Sequence, residues 1–243
     1  MPATDWGFSV TPEELESWIV HRDSDLLVVN KPGGLVCHPS KRGPWSSLVG
    51  AAREYLGVER LHMPSRLDRE TSGVVVFALN REIASRLQKA IERRRVAKIY
   101  WALLMGSLAA PVVVNQPIGP AEGALVAARQ AVREGGRESV TEFEPLAAKG
   151  DWTLARVRPL TGRMHQIRVH AAWLGHPVAG DKIYGPDERW YLEFVTRGWT
   201  AEMQRALGVS RHALHCGEIG FPDHLSFHAP WPDELADYTG LRP

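Results

Sequence analysis

The 243-residue chain has only two cysteines, Cys37 and Cys216, far apart and in no Cys-x-x-Cys pair. That argues against a disulfide framework, and both thiols are expected to stay reduced, as in a cytoplasmic protein. No apolar run approaches the ~20 residues of a membrane span. Residues Met1 to Val10 also lack the basic-then-apolar order of a secretory leader. No membrane partner is therefore expected. There is no internal repeat and no low-complexity tract. The formal net charge of +1 carries no mark of a polyanionic partner, so charge has to be read segment by segment. What is present, 44% hydrophobic and 23% charged residues, is the composition of a soluble globular protein, long enough for one large or two small domains with a sizeable core.

Read in order, residues 1–22 form an accessory arm, in which Thr11 caps a helix that has Pro12 at its first position. Asp25 to Asn30 reads as a short apolar strand stopped by Lys31-Pro32-Gly33-Gly34, and Leu35 to Pro39 as a second extended piece. Ser46 or Ser47 starts a helix that Gly57 ends. Asn80 caps another, which runs to about Arg93 or Arg94. Val96 to Met105 reads as a strand with Tyr100 facing away from Ile99 and Trp101. The segments Ala124 to Val132, Glu138 to Ala147 and Trp152 to Leu160 read as successive antiparallel strands. Thr161 to Gly175 is a turn into a helix, with His165 and Arg168 on one side near its start. Asp187 to Leu207 is helical, His212 to Cys216 is a last strand, and the tail is proline-rich.

Two stretches carry chemistry. In Ser65-Arg66-Leu67-Asp68-Arg69-Glu70-Thr71-Ser72-Gly73 one carboxylate sits between two arginines, in a loop ending where the apolar strand Val74–Ala78 begins. Such an acid is placed to stay ionised; an ordinary surface ion pair is the plainer reading. From Arg81 to Lys98, seven basic residues stand against two acidic ones, a local charge of +5. A solvated helix face and a phosphate-contacting surface both fit, and the position directly after the Asp68 strand favours the second.

Arg66-Leu67-Asp68-Arg69-Glu70-Thr71-Ser72-Gly73 resembles the catalytic motif of the RluA-type pseudouridine synthases. Lys98-Ile99-Tyr100-Trp101-Ala102-Leu103 resembles that family's Lys-x-Tyr-x-Ala segment. Gly162-Arg163-Met164-His165-Gln166-Ile167-Arg168 resembles its Gly-Arg-Thr-His-Gln-Ile-Arg segment. Further matches at Asp25 to Gly34, Gly175-His176-Pro177, Gly180-Asp181 and Arg211 to Leu214 keep the family's order, so the resemblance spans about Asp25 to Phe221.

The resemblance implies an α+β fold with a central, mainly antiparallel sheet, flanking helices and a basic cleft. A catalytic domain at 23–230 would be followed by a tail at 231–243. It implies an isomerase that converts uridine to pseudouridine in ribosomal or transfer RNA, as a monomer, with no cofactor and no metal. By similarity Asp68 is the catalytic carboxylate, Tyr100 stacks on the target base, and Arg168 pairs with Asp68. Arg66 fills the space that the flipped base leaves. Arg69, Arg93, Arg94, Arg95, Lys98, Arg163 and His165 complete the expected RNA-binding set. Bottom-up chemistry agrees. Exchanging a C–N for a C–C glycosidic bond needs a reactive carboxylate, and a detached uracil needs an aromatic platform. Ser65 and Met164 depart from the family's usual His and Thr. With about two dozen residues before the first matched strand, there is no room for the extra N-terminal RNA-binding domain that many relatives carry.

Two rivals remain at this level. One is a metal enzyme built on His165, His170, His176, His212 and His215, but residues three apart in a strand, such as His212 and His215, face opposite sides. The other is an RNA-binding or chaperone module without chemistry. Retention of Asp68, Tyr100 and Arg168 together argues against it.

Overall fold

The computed structural model describes residues 9–38, 43–222 and 225–243. Residues 1–8 of the expected arm, and Pro39 of the expected extended piece, lie outside them. In chain order the elements are α1 (Pro12–Ser17), β1 (Ile19–Arg22), β2 (Leu26–Lys31), α2 (Leu48–Leu56), β3 (Ser72–Ala78), α3 (Arg81–Glu92) and β4 (Ala97–Met105). There follow β5 (Val112–Asn115), β6 (Ile118–Pro120), β7 (Gln130–Val132), β8 (Val140–Lys149), β9 (Trp152–Pro159), α4 (Gln166–Trp173), α5 (Arg189–Arg197) and α6 (Ala201–Leu207). β10 (Leu214–Gly220), β11 (Ser226–His228) and α7 (Asp233–Thr239) complete the chain. This is an α+β fold with mainly antiparallel strands and flanking helices. It divides into two compact units, one of residues 9–98 with Cys216–Pro230, the other of Ile99–His215 with Trp231–Pro243.

In the first unit, β1, β2 and β3 pair antiparallel in that order, β10 follows β3, and β11 pairs antiparallel with β10. Every residue of β3 is buried, so the Val74–Ala78 run is apolar because both faces of the strand are covered. α3 lies against β3 and turns Ile83, Leu87 and Ala90 inward at helical spacing. Its start is fixed twice by Asn80, whose side-chain oxygen accepts from Ile83 N at 2.9 Å and whose amide donates to Asp25 Oδ1 at 2.8 Å. α1 begins with the predicted cap: Thr11 Oγ1 accepts from Glu14 N, and Glu14 Oε2 accepts from Thr11 N. Ser47, not Ser46, caps α2.

In the second unit, β4, β9, β8 and β5 form consecutive antiparallel ladders, and β6 and β7 make a separate hairpin. Burial in β4 confirms that Tyr100 is turned inward while Ile99 and Trp101 are half-buried. α4 lies against β8 and β9 and is buried nearly all round, which explains its weak apolar periodicity. α5 is anchored differently. Lys182, itself buried, donates to Ser210 O at 2.7 Å and places its ammonium 4.4 Å from the Phe194 ring centroid.

Several expected elements differ. Ala124 to Val132 contributes only Gln130–Val132 as strand, because Glu188 accepts from Leu125 N and pairs with Arg129, curving residues 121–129 so that Val126 enters the core. Leu35–His38 is a loop whose Val36 and Cys37 carbonyls are taken up by Leu48 N and Val49 N. The helical stretch from Asp187 breaks at Gly198 into α5 and α6, the second capped by Thr200. The last strand starts at Leu214 and runs on to Gly220. The proline-rich tail contains α7.

Gly73, where the Asp68 loop becomes β3, sits at φ +111°, and a Cβ there would lie 2.2 Å from Cys216 O and 2.6 Å from Cys216 N. Gly73→Ala therefore combines a disfavoured backbone with a backbone clash, and is expected to cost about 2–5 kcal/mol. Urea denaturation checks this; a loss under about 0.5 kcal/mol would mean that the strand entry adjusts freely.

Candidate active site

Asp68 lies half-buried in the stretch between Ser65 and β3, among residues with no regular structure. That stretch is not loose. The carbonyls on both sides of Asp68 are held by the connection between β2 and α2: Leu67 O accepts from Cys37 Sγ at 3.4 Å, and Arg69 O accepts from Gly34 N at 2.9 Å. Arg69 O also accepts from Lys31 Nζ at 2.9 Å. Lys31 is fully buried, and its ammonium donates to Pro32 O and Leu35 O as well, both at 2.8 Å. Three carbonyls match its three hydrogens, the condition under which a buried ammonium is tolerated. Lys31 thus ties the turn after β2 to the Asp68 loop across 38 residues of chain. Burial pushes the Cys37 thiol up from its ordinary value, with the Lys31 charge opposing. Arg66 is exposed, and Arg69 is half-buried.

The basic set splits. Arg93, Arg94 and Arg95 are exposed just beyond α3, with Arg94 in the left-handed region at φ 55°. Lys98 is half-buried, and loss of water lowers its pKa, the neighbouring Cys216 acting the other way. It is set apart from the exposed arginines.

In the second unit the turn before α4 is fixed by Gln166. Its Oε1 accepts from Thr161 Oγ1 at 2.7 Å and Arg163 N at 3.0 Å, and its amide donates to Val140 O and Thr141 Oγ1. His170 Nε2 donates to Gln116 O at 3.0 Å, since a carbonyl only accepts, so the neutral ring accepts at Nδ1 from Thr141 Oγ1 at 2.8 Å. Burial lowers the His170 pKa, the Gln116 bond opposing, so a neutral structural imidazole results. This network sets His165, the residue before α4, at φ 57° and ψ 17°. Arg163 donates from Nε to Glu138 O.

Within the first turn of α4, Arg168 reaches Asp181: Nε to Oδ2 at 2.6 Å and Nη2 to Oδ1 at 2.9 Å, both side chains buried. Asp181 Oδ1 also accepts from Ile183 N and Tyr184 N, each at 3.0 Å. Burial disfavours the Asp181 charge, but the Arg168 guanidinium overrides it and holds the carboxyl far below its ordinary value. The sequence reading gave Arg168 a role without this partner. In the sequence Gly180-Asp181 reads as a turn that matches the family's order, with no partner named for Asp181, and Gln166 and Lys31 appear only as members of matched segments. His212 is fully desolvated beside Arg168, Asp181, Lys182 and Arg211; burial and then the Arg168 charge keep its pKa well below 6.5. His215 stacks on Trp101 with centroids 5.7 Å apart and meets Trp231 edge-on. The two histidines thus have unrelated surroundings. Among the described residues, no group of three or more His, Cys, Asp or Glu is placed to hold a metal ion, and no helix is long and apolar enough to cross a membrane.

A family model described as RNA pseudouridylate synthase matches residues 25–173. The chain is similar to the ribosomal large subunit pseudouridine synthase D of Vibrio cholerae, 32% identical over 93% of this chain and 71% of that one. It is 36% identical to the synthase C of the same organism, over 89% of this chain and 66% of that one. Among solved structures, human RNA pseudouridylate synthase domain containing 4 superposes with a TM-score of 0.73 at 25% identity, covering 93% of each chain. Human RNA pseudouridylate synthase domain containing 1 gives 0.70 at 26%, over 99% of this chain and 90% of that one.

The depressed pKa of His212 has a consequence for stability. The unfolded chain binds a proton at this residue near pH 6.5, and the folded chain resists it. Stability is therefore full above about pH 7 and falls as pH drops below 6.5, by up to about 1.4 kcal/mol per unit for this one group. His170 acts in the same direction. Urea midpoints between pH 8 and 5.5 are expected to decline on the acid side, less steeply in His212→Gln. Identical slopes in the two proteins would contradict the buried neutral imidazole.

Proposed function

The chain belongs to the RNA pseudouridylate synthase family, and we propose that it isomerises a uridine of large-subunit ribosomal RNA with Asp68 as the catalytic carboxylate. The activity of an RNA pseudouridine synthase is that of the family. The ribosomal substrate is suggested by the names of the Vibrio cholerae relatives. Support for Asp68 comes from how the loop is held: the carbonyls of both its neighbours are fixed by Lys31, Gly34 and Cys37, which leaves the carboxylate on a rigid support. A reacting group held in one geometry saves much of the entropy of alignment.

The reaction exchanges one bond of the ribose for another. The C1′–N1 bond breaks, the detached uracil turns, C5 bonds to C1′, and the hydrogen on C5 is lost while N1 gains one. Nothing is oxidised or reduced. Attack on C1′ and removal of a ribose proton both use an ionised carboxylate, and Asp68 is the residue we assign to it. Tyr100, turned inward on β4, is the aromatic platform for the base. Arg168 supplies the counter-charge; its Asp181 pairing fixes the plane of its guanidinium. Arg66, Arg69, Arg93, Arg94, Arg95, Arg163 and His165 contact RNA. The exposed arginines make that affinity salt-dependent and indifferent to sequence. Lys98, being desolvated, contributes less.

Tritium release from uracil-5-labelled RNA tests this directly. Wild-type protein is expected to release tritium from ribosomal RNA, and Asp68→Asn to lose at least about a thousandfold in rate, the scale for removing an acid–base or nucleophilic group. Release by the variant at the wild-type rate would remove Asp68 from the chemistry. Release from transfer RNA alone would replace the ribosomal substrate.

A further inference from the structure

α3 carries charge that the reaction as described leaves out. Ile83, Leu87 and Ala90 face the core, and helical spacing sets Arg86, Lys89 and Arg93 together on one flank, about a quarter-turn from that buried face. All three are exposed. Steps of three and four residues space them about 4.5 and 6 Å apart along the axis. The spacing is rigid, because Asn80 fixes the helix start from both sides and the apolar face fixes its roll.

We propose that this flank is a phosphate track: Arg86, Lys89 and Arg93 each hold a phosphate of one RNA strand, outside the reacting nucleotide, so that the strand runs along α3. The proposal rests on the reading of Arg93 as an RNA contact and extends it to Arg86 and Lys89.

A helix face that meets only water neutralises its charges where it can, and other exposed arginines of the chain do so. Arg133 pairs with Glu122 at 2.7 Å, and Arg158 with Glu142 at 3.1 Å. α3 has the means as well. Glu82 stands four residues before Arg86, the favourable order for an ion pair, and Glu92 three residues after Lys89. Among the described residues, neither closes an ion pair with the three cations; Glu92 Oε1 instead accepts from Gln88 Nε2 at 3.0 Å, on the outward line of the helix. Like charges three and four residues apart work against a helix, so the stripe is kept in spite of α3's own stability. The C-terminal end of the helix dipole favours Lys89 and Arg93. Arg86, in the middle of the helix, has no such support. Three unanswered cations in a row match a polyanion with regularly spaced charges, and the family's substrate is one.

Filter binding of transcribed large-subunit ribosomal RNA over a range of salt concentrations tests the track. Each phosphate contact contributes about 0.7–0.9 to the slope of log Kd against log salt. Arg86→Gln combined with Lys89→Gln is expected to lower that slope by about 1.4–1.8 and to raise KM in tritium release, the loss falling on KM and not on kcat. Arg197→Gln combined with Arg205→Gln removes the same charge from exposed arginines of the second unit, and is expected to leave the slope unchanged. An equal fall in both double variants overturns the track, because the attraction is then one of net charge. A wild-type slope in the first double variant, or a loss in kcat with KM unchanged, overturns it as well. Arg93→Gln tests the earlier reading separately: a slope lowered by it and not by the first double variant keeps Arg93 as an RNA contact and removes the track. Phosphates carry no sequence, so the slopes report on α3 whichever RNA is the substrate.

Discussion

The buried pair of Arg168 and Asp181 is the constraint from which the second unit's chemistry follows. Two opposite charges removed from water gain little net stability from each other, because the cost of desolvation matches the attraction. What the pair fixes is geometry. Asp181 accepts two hydrogen bonds from the guanidinium and two from the amides of Ile183 and Tyr184. One carboxylate thereby sets the plane of Arg168, the path of the Gly180–Gly185 turn and the place of the Tyr184 ring. His212 is kept neutral first by burial and then by the Arg168, Lys182 and Arg211 charges, which outweigh the pull of Asp181.

The first unit reaches the same end with the buried ammonium of Lys31. Lys31 has backbone carbonyls for partners, three of them, and through them binds a glycine turn to the Asp68 loop. Gly73 then lets the chain leave that loop and enter β3 against the Cys216 backbone. In the first unit the buried charge is directed at the carbonyl next to Asp68; in the second it is directed at Arg168 itself and at the amides of Ile183 and Tyr184. The reacting side chains can then sit on irregular backbone, which is mobile unless its polar groups are tied down.

Much of this was legible in the sequence wherever the cause is local. The Thr11–Glu14 box, the Asn80 cap and the inward turn of Tyr100 each follow from a few neighbouring residues, and each is found. The Asp68 loop was legible as a polar stretch before an apolar strand. The roles of Lys31, Gln166 and Asp181 were not, because their partners lie up to 38 residues away in sequence and no short-range pattern announces them. The false strand at Ala124–Ala128 has the same origin. The run Ala124-Leu125-Val126-Ala127-Ala128 is continuously apolar, but Glu188, some sixty residues later, pulls the segment into a loop. Tertiary hydrogen bonds overrode a weak local preference.

If the Arg168–Asp181 pair is kept for orientation and not for stability, the two properties must separate under mutation. Arg168→Met alone leaves a buried carboxylate unpaired and is expected to cost about 3–5 kcal/mol. Adding Asp181→Asn removes that charge while keeping an acceptor for the two amides, and is expected to recover most of the loss. The most direct measurement is the rate of pseudouridine formation by the double variant under conditions where it is fully folded. The account predicts a loss of at least about a hundredfold despite restored stability. A double variant that forms pseudouridine at the wild-type rate would contradict it.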